Sequence, residues 1–128
     1  MITINNKCYK NIKIDIKWGN FSAVINGKKE EGIAPIIKFI MDDIIVELEF
    51  VYSKENFQKL EINKRMDFYK YLVGVAYEDD KGWLPIINNS VKIYLTRINE
   101  NEFYIDFEMK CMEVNDMDII INSCLKIL

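Results

Sequence analysis

The stretch VKIYLTRINENEFYIDFEMK, residues 91–110, alternates apolar and polar side chains with period two on both sides of a polar turn. Only an extended strand puts such a pattern on two distinct faces. Val91, Ile93 and Leu95 share parity with Phe103, Ile105, Phe107 and Met109. Directly opposed residues of an antiparallel pair share a face, so odd positions must meet odd positions. A loop of Asn99-Glu100-Asn101 achieves this, with Asn101 expected in the left-handed conformation. Leu95 then opposes Ile105 and Ile93 opposes Phe107. On the other face Lys92 meets Glu108, Tyr94 meets Asp106 and Thr96 meets Tyr104. A two-residue loop would set Ile93 against Glu108 instead. Burying one such side chain is worth about 1.5–3 kcal/mol, against about 0.2–1 kcal/mol for a cross-strand pair, so the apolar pattern dictates the register.

Two further segments read as hairpins. NIKIDIKWGNFSAVIN alternates Ile12, Ile14, Ile16 and Trp18 with charged residues, and Gly19-Asn20 suits a type II′ turn. That turn would pair Trp18 with Phe21, Ile16 with Ala23 and Ile14 with Ile25. In PIIKFIMDDIIVELEFVY, a turn at Asp42-Asp43 pairs Phe39 with Val46, Ile37 with Leu48 and Lys38 with Glu47. The opposite face of this hairpin carries Ile36, Ile40, Ile45 and Val51. A strand apolar on both faces is ordinarily covered on both, so a helix, a second sheet or another copy of the chain is expected over these four, and a homo-oligomer would use them as its interface.

Alternation breaks at SKENFQKLEINKRM, where Ser53 can cap a short helix near residues 54–64 with Phe57 and Leu60 on one face. DFYKYLVGVAYED then reads as a strand with Tyr69, Tyr71, Val73, Val75 and Tyr77 on one side, a longer helix over 54–73 being the alternative. WLPIINNS reads as a loop, because Pro85 cannot sit in a central ladder. DIIINSCLKIL closes the chain as an apolar strand, central or covered. The fold expected is mainly β in a single domain over residues 1–128: an antiparallel meander of about 8–9 strands, as a small barrel or a two-layer sandwich, with one short helix.

Composition narrows the function. Of 128 residues, half are hydrophobic and 29% are charged, which excludes a disordered chain. A net charge of −3 offers no basic footprint for nucleic acid. No apolar run reaches the length of a membrane span, and MITINNKCYK lacks the layout of a signal peptide, so a cytoplasmic protein is expected. Cys8, Cys111 and Cys124 are then expected as thiols buried as small apolar filler. Ile, Lys, Asn, Phe, Tyr and Met supply 70 of the 128 residues, which is the mark of an AT-rich bacterial or phage genome.

Catalytic chemistry is poorly provided for. There is no histidine, so the commonest acid–base group and metal ligand are both missing. The serines stand in no G-x-S-x-G context, and the five glycines are scattered. A pair among Glu47, Glu49, Asp106 and Glu108 would suffice for glycoside hydrolysis, yet any acidic sheet face supplies such pairs. NDMD (Asn115, Asp116, Asp118) and EDDKG lack the glycine and distal glutamate of a calcium loop and read as turns, so neither metal nor cofactor is expected.

Aromatic residues on polar faces carry more information. Tyr94 and Tyr104 lie diagonally across the 91–110 hairpin among Asp106 and Glu108, and Trp83 stands shortly before it. Tyrosine and tryptophan concentrate binding energy. Trp83, Tyr94, Tyr104, Asp106 and Glu108 are therefore the expected binding residues of a non-enzymatic protein. It would block a macromolecular partner in the style of an immunity protein or phage-encoded inhibitor of a toxin or defence enzyme. The alternative is a β-barrel sequestering a small-molecule ligand in its interior.

Overall fold

The computed structural model describes residues 1–86, 90–111 and 116–128. Its strands are β1 (Ile2–Ile4), β2 (Lys7–Tyr9), β3 (Lys13–Ile25), β4 (Lys28–Met41), β5 (Ile44–Phe50), β6 (Arg65–Asp67), β7 (Leu72–Asp79), β8 (Gly82–Pro85), β9 (Ser90–Arg97), β10 (Glu102–Cys111) and β11 (Met117–Lys126). They form two antiparallel sheets, ordered β2-β1-β11-β10-β9-β6 and β3-β4-β5-β7-β8. One short helix, α1 (Lys54–Gln58), lies between β5 and β6. Among the described residues no helix is long and apolar enough to cross a membrane.

The sheets do not close into a barrel. Ile93, Leu95, Phe103, Ile105, Phe107, Ile119 and Ile121 of one inner face and Ile37, Phe39, Val46 and Leu48 of the other belong to a single buried core. Among the described residues no Asp, Glu, Lys, Arg, Asn, Gln, Ser or Thr side chain is buried in it. The strands alternate for this reason: each odd residue of β9 and β10 that enters the core would leave an unpaired polar group if the register slipped by one.

Two of the expected hairpins stand as read. Ile93 opposes Phe107, Leu95 opposes Ile105 and Lys92 opposes Glu108; Phe39 opposes Val46 and Lys38 opposes Glu47, with a 3.9 Å ion pair between the last two. The loop of the first is held differently from expectation. Asn101 does not take a positive φ. The Asn99 side chain closes the turn, its Oδ1 accepting from the backbone N–H of Asn101 (3.0 Å) and Glu102 (2.9 Å). This is an Asx turn, which supplies the reversal without left-handed backbone.

The Gly19-Asn20 hairpin does not exist. β3 runs straight through both residues, and the chain turns at Asn26-Gly27, where φ is 53° and 76°. Asn-Gly satisfies a type I′ turn, which needs positive φ at both central positions. The later turn also nearly doubles the ladder and sets Ile16 opposite Ile37 and Ile14 opposite Phe39. A continuous strand puts Phe21, Ala23 and Ile25 on the opposite face from Ile16 and Trp18, where the expected turn would have joined them. The β5 ladder starts at Ile36, so the far end of the β3–β4 pair projects as a two-stranded ribbon, on which Val24 is exposed.

Other readings shift more modestly. Ser53 caps α1, its Oγ accepting from the Asn56 N–H at 3.1 Å, but the helix ends at Gln58 rather than near residue 64, and no helix spans 54–73. The expected strand at 67–79 is broken by a 3-10 turn at Tyr69–Tyr71. A register shift between Glu49 and Phe50 opposite β7 then leaves Val73 exposed while Tyr77 is buried, so the five alternate residues do not share one side. Of the expected loop at 83–90, residues 83–85 belong instead to the strand Gly82–Pro85, at the sheet edge where a missing N–H costs no ladder bond, and 87–89 lie outside the described residues. β1 and β2 bring the strands among the described residues to eleven, and the apolar final strand is central, between β1 and β10.

Ile36, Ile40, Ile45 and Val51 are each half-buried. Their cross-strand neighbours include Lys13, Lys17, Glu49 and Glu78, whose long stems can lie over apolar surface while the charges stay wet. The helix packs on the core side instead, against Trp18 and Phe103. Of the cysteines only Cys111 is buried; Cys8 and Cys124 stand exposed, opposite Thr3 and Tyr104 on the outer face of the six-stranded sheet.

Tyr77 is a core residue whose titratable group is held far from its usual state. Burial, with the carboxylate of Asp79 beside it, pushes its phenol up from 10.0 to about 12. Between those values the folded chain keeps a proton that the unfolded chain releases. The contribution is therefore complete below pH 10 and lost as the pH rises through about 12, on the order of 2 kcal/mol. Urea titrations of wild type and Tyr77→Phe should show the wild type losing ground to the variant across that interval; parallel curves would mean the hydroxyl is solvated.

Candidate functional site

Antiparallel register places four of the five expected binding residues on one surface. Even residues of β9 and β10 point away from the core, and rows across the strands bring Asp67, Tyr94 and Asp106 into line, with Arg65, Thr96 and Tyr104 in the next. Lys92 and Glu108 form a third row that continues to Ile120 and Thr3. Tyr104 is 37% exposed, while Tyr94, Asp106 and Glu108 are half-buried by their neighbours.

The centre of this face is a residue that periodicity did not reveal. Arg65 lies over the Tyr94 ring with its guanidinium carbon 3.7 Å from the ring centroid, and its Nη2 donates to Asp106 Oδ2 at 3.2 Å. Planar guanidinium stacks on an aromatic face while its N–H edge remains free for a carboxylate, an arrangement that lysine cannot reproduce. Such an exposed ion pair adds little to stability by itself. What it does is fix the orientation of three side chains at a surface. Arg65 is delivered by β6, whose three residues pair with β9 across a sequence separation of about thirty, so no local signal in NKRM marks it.

Beyond Glu108 the same face carries a shallow pocket of about 190 Å³ between Thr3, Asn6, Glu108, Lys110, Asp118 and Ile120. It exists because β1 and β2 turn at Asn5-Asn6, both at positive φ (49° and 67°), and Asn5 Oδ1 accepts from the Asp118 N–H at 2.9 Å. Asn-Asn is a legible turn signal, since asparagine tolerates the left-handed region. The strands on either side are too short to show alternation.

Trp83 is not part of this surface. It stands on the edge strand β8 opposite Glu78, which opposes Ile45, and so belongs to the outer face of the other sheet, where it is half exposed. Among the carboxylates considered for hydrolysis, Glu47 and Glu49 lie on that same sheet and Asp106 and Glu108 on the first. Glu47 is engaged by Lys38 and Asp106 by Arg65. Among the described residues there is no cluster of three or more His, Cys, Asp or Glu arranged for a metal ion. Of the NDMD segment, Asn115 lies outside the described residues, and Asp116 takes φ 44° as a turn residue does.

No family model, curated protein or solved structure matches this chain.

Proposed function

We propose that the protein is a non-enzymatic binder that blocks a protein partner through the outer face of its six-stranded sheet, centred on Arg65, Tyr94, Tyr104 and Asp106 and extending to Glu108. The observation that carries this reading is the Arg65 guanidinium, stacked on Tyr94 at 3.7 Å and bonded to Asp106, with Tyr104 exposed beside it. Arginine and tyrosine are the residue types that dominate binding energy at interfaces, and a pre-oriented cluster loses less side-chain entropy on docking. Among the described residues no charged or amide side chain is buried, and the polar groups gather on the sheet faces. A small chain with a pre-oriented arginine–tyrosine cluster on one sheet face suits an immunity protein or a phage-encoded inhibitor of a toxin or defence enzyme.

The test is a comparison of wild type, Tyr104→Ala and Arg65→Ala as baits on extracts of the host, followed by titration of the recovered partner. Truncating a hot-spot side chain costs about 2 kcal/mol or more, so each variant should bind at least about tenfold more weakly. Melting temperature should hardly move, as expected of surface sites. Unchanged affinity in both variants, or a melting loss with binding intact, would make the cluster a structural feature only.

A further inference from the structure

Among the described residues four strands form the edges of the two sheets, and three of them are short. β2 and β6 have three residues each and β8 has four, ending in Pro85, whereas β3 has 13. Long exposed edges are ordinarily blunted by proline, bulges or inward charges. β3 carries the edge charges Lys13, Asp15 and Lys17 but no proline, and its ladder with β4 runs from Lys13 to Ile25 without a register shift. Its core-side residues Ile14, Ile16 and Trp18 remain only half-buried, because β3 is the last strand of its sheet.

We propose that this edge pairs with the β3 edge of a second copy of the chain, antiparallel, about a two-fold axis at Ile16. Charge favours this register: an axis at Trp18 or Gly19 would lengthen the ladder but set Asp15 and Lys17 opposite uncharged residues. With Ile16 facing itself, Asp15 of each copy opposes Lys17 of the other, Ile14 opposes Trp18, and Lys13 opposes Gly19. An axis at Asp15 would face two aspartates and set Lys13 against Lys17; an axis at Lys17 would face two lysines. An axis at Ile14 recovers an Asp15–Lys13 contact but keeps only the three residues Lys13–Asp15 of β3 in the ladder, against the seven of Lys13–Gly19.

The rows of each sheet meet correctly in this arrangement. Asp15, Lys38 and Glu47 already alternate in sign across β3, β4 and β5, and the partner subunit's Lys17 continues the alternation. On the core side, Leu48, Ile37 and Ile16 meet their own symmetry mates end to end, and Phe39 and Ile14 run on to the partner subunit's Trp18. The half-buried apolar edge is thereby covered. Beyond Gly19, the partner subunit's Phe21 falls opposite Asn11, beside an open groove of about 460 Å³ formed by Lys10, Asn11, Ile12, Lys13 and Ile40. Phe21 lies on the same outer face as Lys13 and Ile40.

Sedimentation equilibrium on the full chain tests the proposal. The wild type should dimerise at micromolar concentration. Asp15→Lys and Lys17→Asp should each weaken the dimer at least about tenfold, because each turns two attractive cross-strand contacts into repulsive ones. The double variant Asp15→Lys/Lys17→Asp should restore it. Lys17 is exposed, so Lys17→Asp reads the interface even where Asp15→Lys, beside Lys38, disturbs the sheet. A monomer at every concentration overturns the proposal, as does a dimer indifferent to both single changes or a double variant weaker than either.

Discussion

Phe57→Ala is expected to destabilise the chain by about 3–5 kcal/mol, the largest loss from any single truncation of its helix. Phe57 is completely buried, and its ring contacts four others. It stacks on Phe68 at 5.7 Å and meets Trp18, Tyr52 and Phe103 edge-on at 6.1, 4.8 and 5.4 Å. These rings come from β3, β10, the linker after β5 and the segment after β6, so one side chain joins both sheets at the end of the sandwich. Removing it leaves a cavity whose walls are rings held by separate elements, which limits collapse and puts the cost at the high end. Phe57→Leu should recover most of the transfer energy but not the aromatic contacts, worth about 0.5–1.5 kcal/mol each. Urea denaturation checks both, with the slope unchanged if the folded state stays compact. A loss below about 1 kcal/mol for the alanine variant would mean that α1 is a surface ornament.

How much of this was legible in the residues depended on range. The 91–110 and 36–50 hairpins could be read because period-two alternation and a short turn act on the same few residues, and a slip of one would bury Glu108 or Glu47. Gly19-Asn20 misled because it is a plausible turn in isolation. The chain prefers Asn26-Gly27, which suits the strand twist and allows a longer ladder, and the choice between two turns is made by the whole ladder. Ser53 and Phe57 were visible as cap and anchor, but the helix length was set by tertiary bonds at its end. The sheet order was beyond local reading: β1 joins β11 through Ile2 opposite Ile121, and nothing near either residue announces the other. The candidate surface followed the same rule. Tyr94, Tyr104, Asp106 and Glu108 came from a single hairpin and were placed together by its register. Arg65 arrives on a strand of three residues, and Trp83 belongs to the other sheet because β8 folds back on β7.

Arg97→Ala is expected to cost about 2–3 kcal/mol, more than an arginine at the end of an ordinary strand, because this guanidinium is bonded to four backbone carbonyls. Nη1 donates to the Gln58 and Leu60 carbonyls at 2.9 and 3.0 Å, Nη2 to Glu100 at 2.9 Å and Nε to Asn99 at 3.1 Å. The first two lie at the end of α1, where helical carbonyls have no partner of their own, and the other two lie in the β9–β10 loop. One planar side chain thus stops the helix, ties it to the hairpin and keeps Phe57 over the core. The partial exposure of these bonds holds the estimate below the sum of four charged hydrogen bonds. Lysine offers a single point of charge and cannot reach both sets of carbonyls, so Arg97→Lys should regain less than half of the loss. Hydrogen exchange separates this role from a general loss of stability. In Arg97→Ala the amides of residues 57–60 and of the 98–102 loop should exchange faster, while those at the centre of the β4–β5 ladder follow global unfolding. Full recovery by lysine, or an unchanged exchange pattern at the helix end, would show that the carbonyls are served by water and that the arginine merely lies near them.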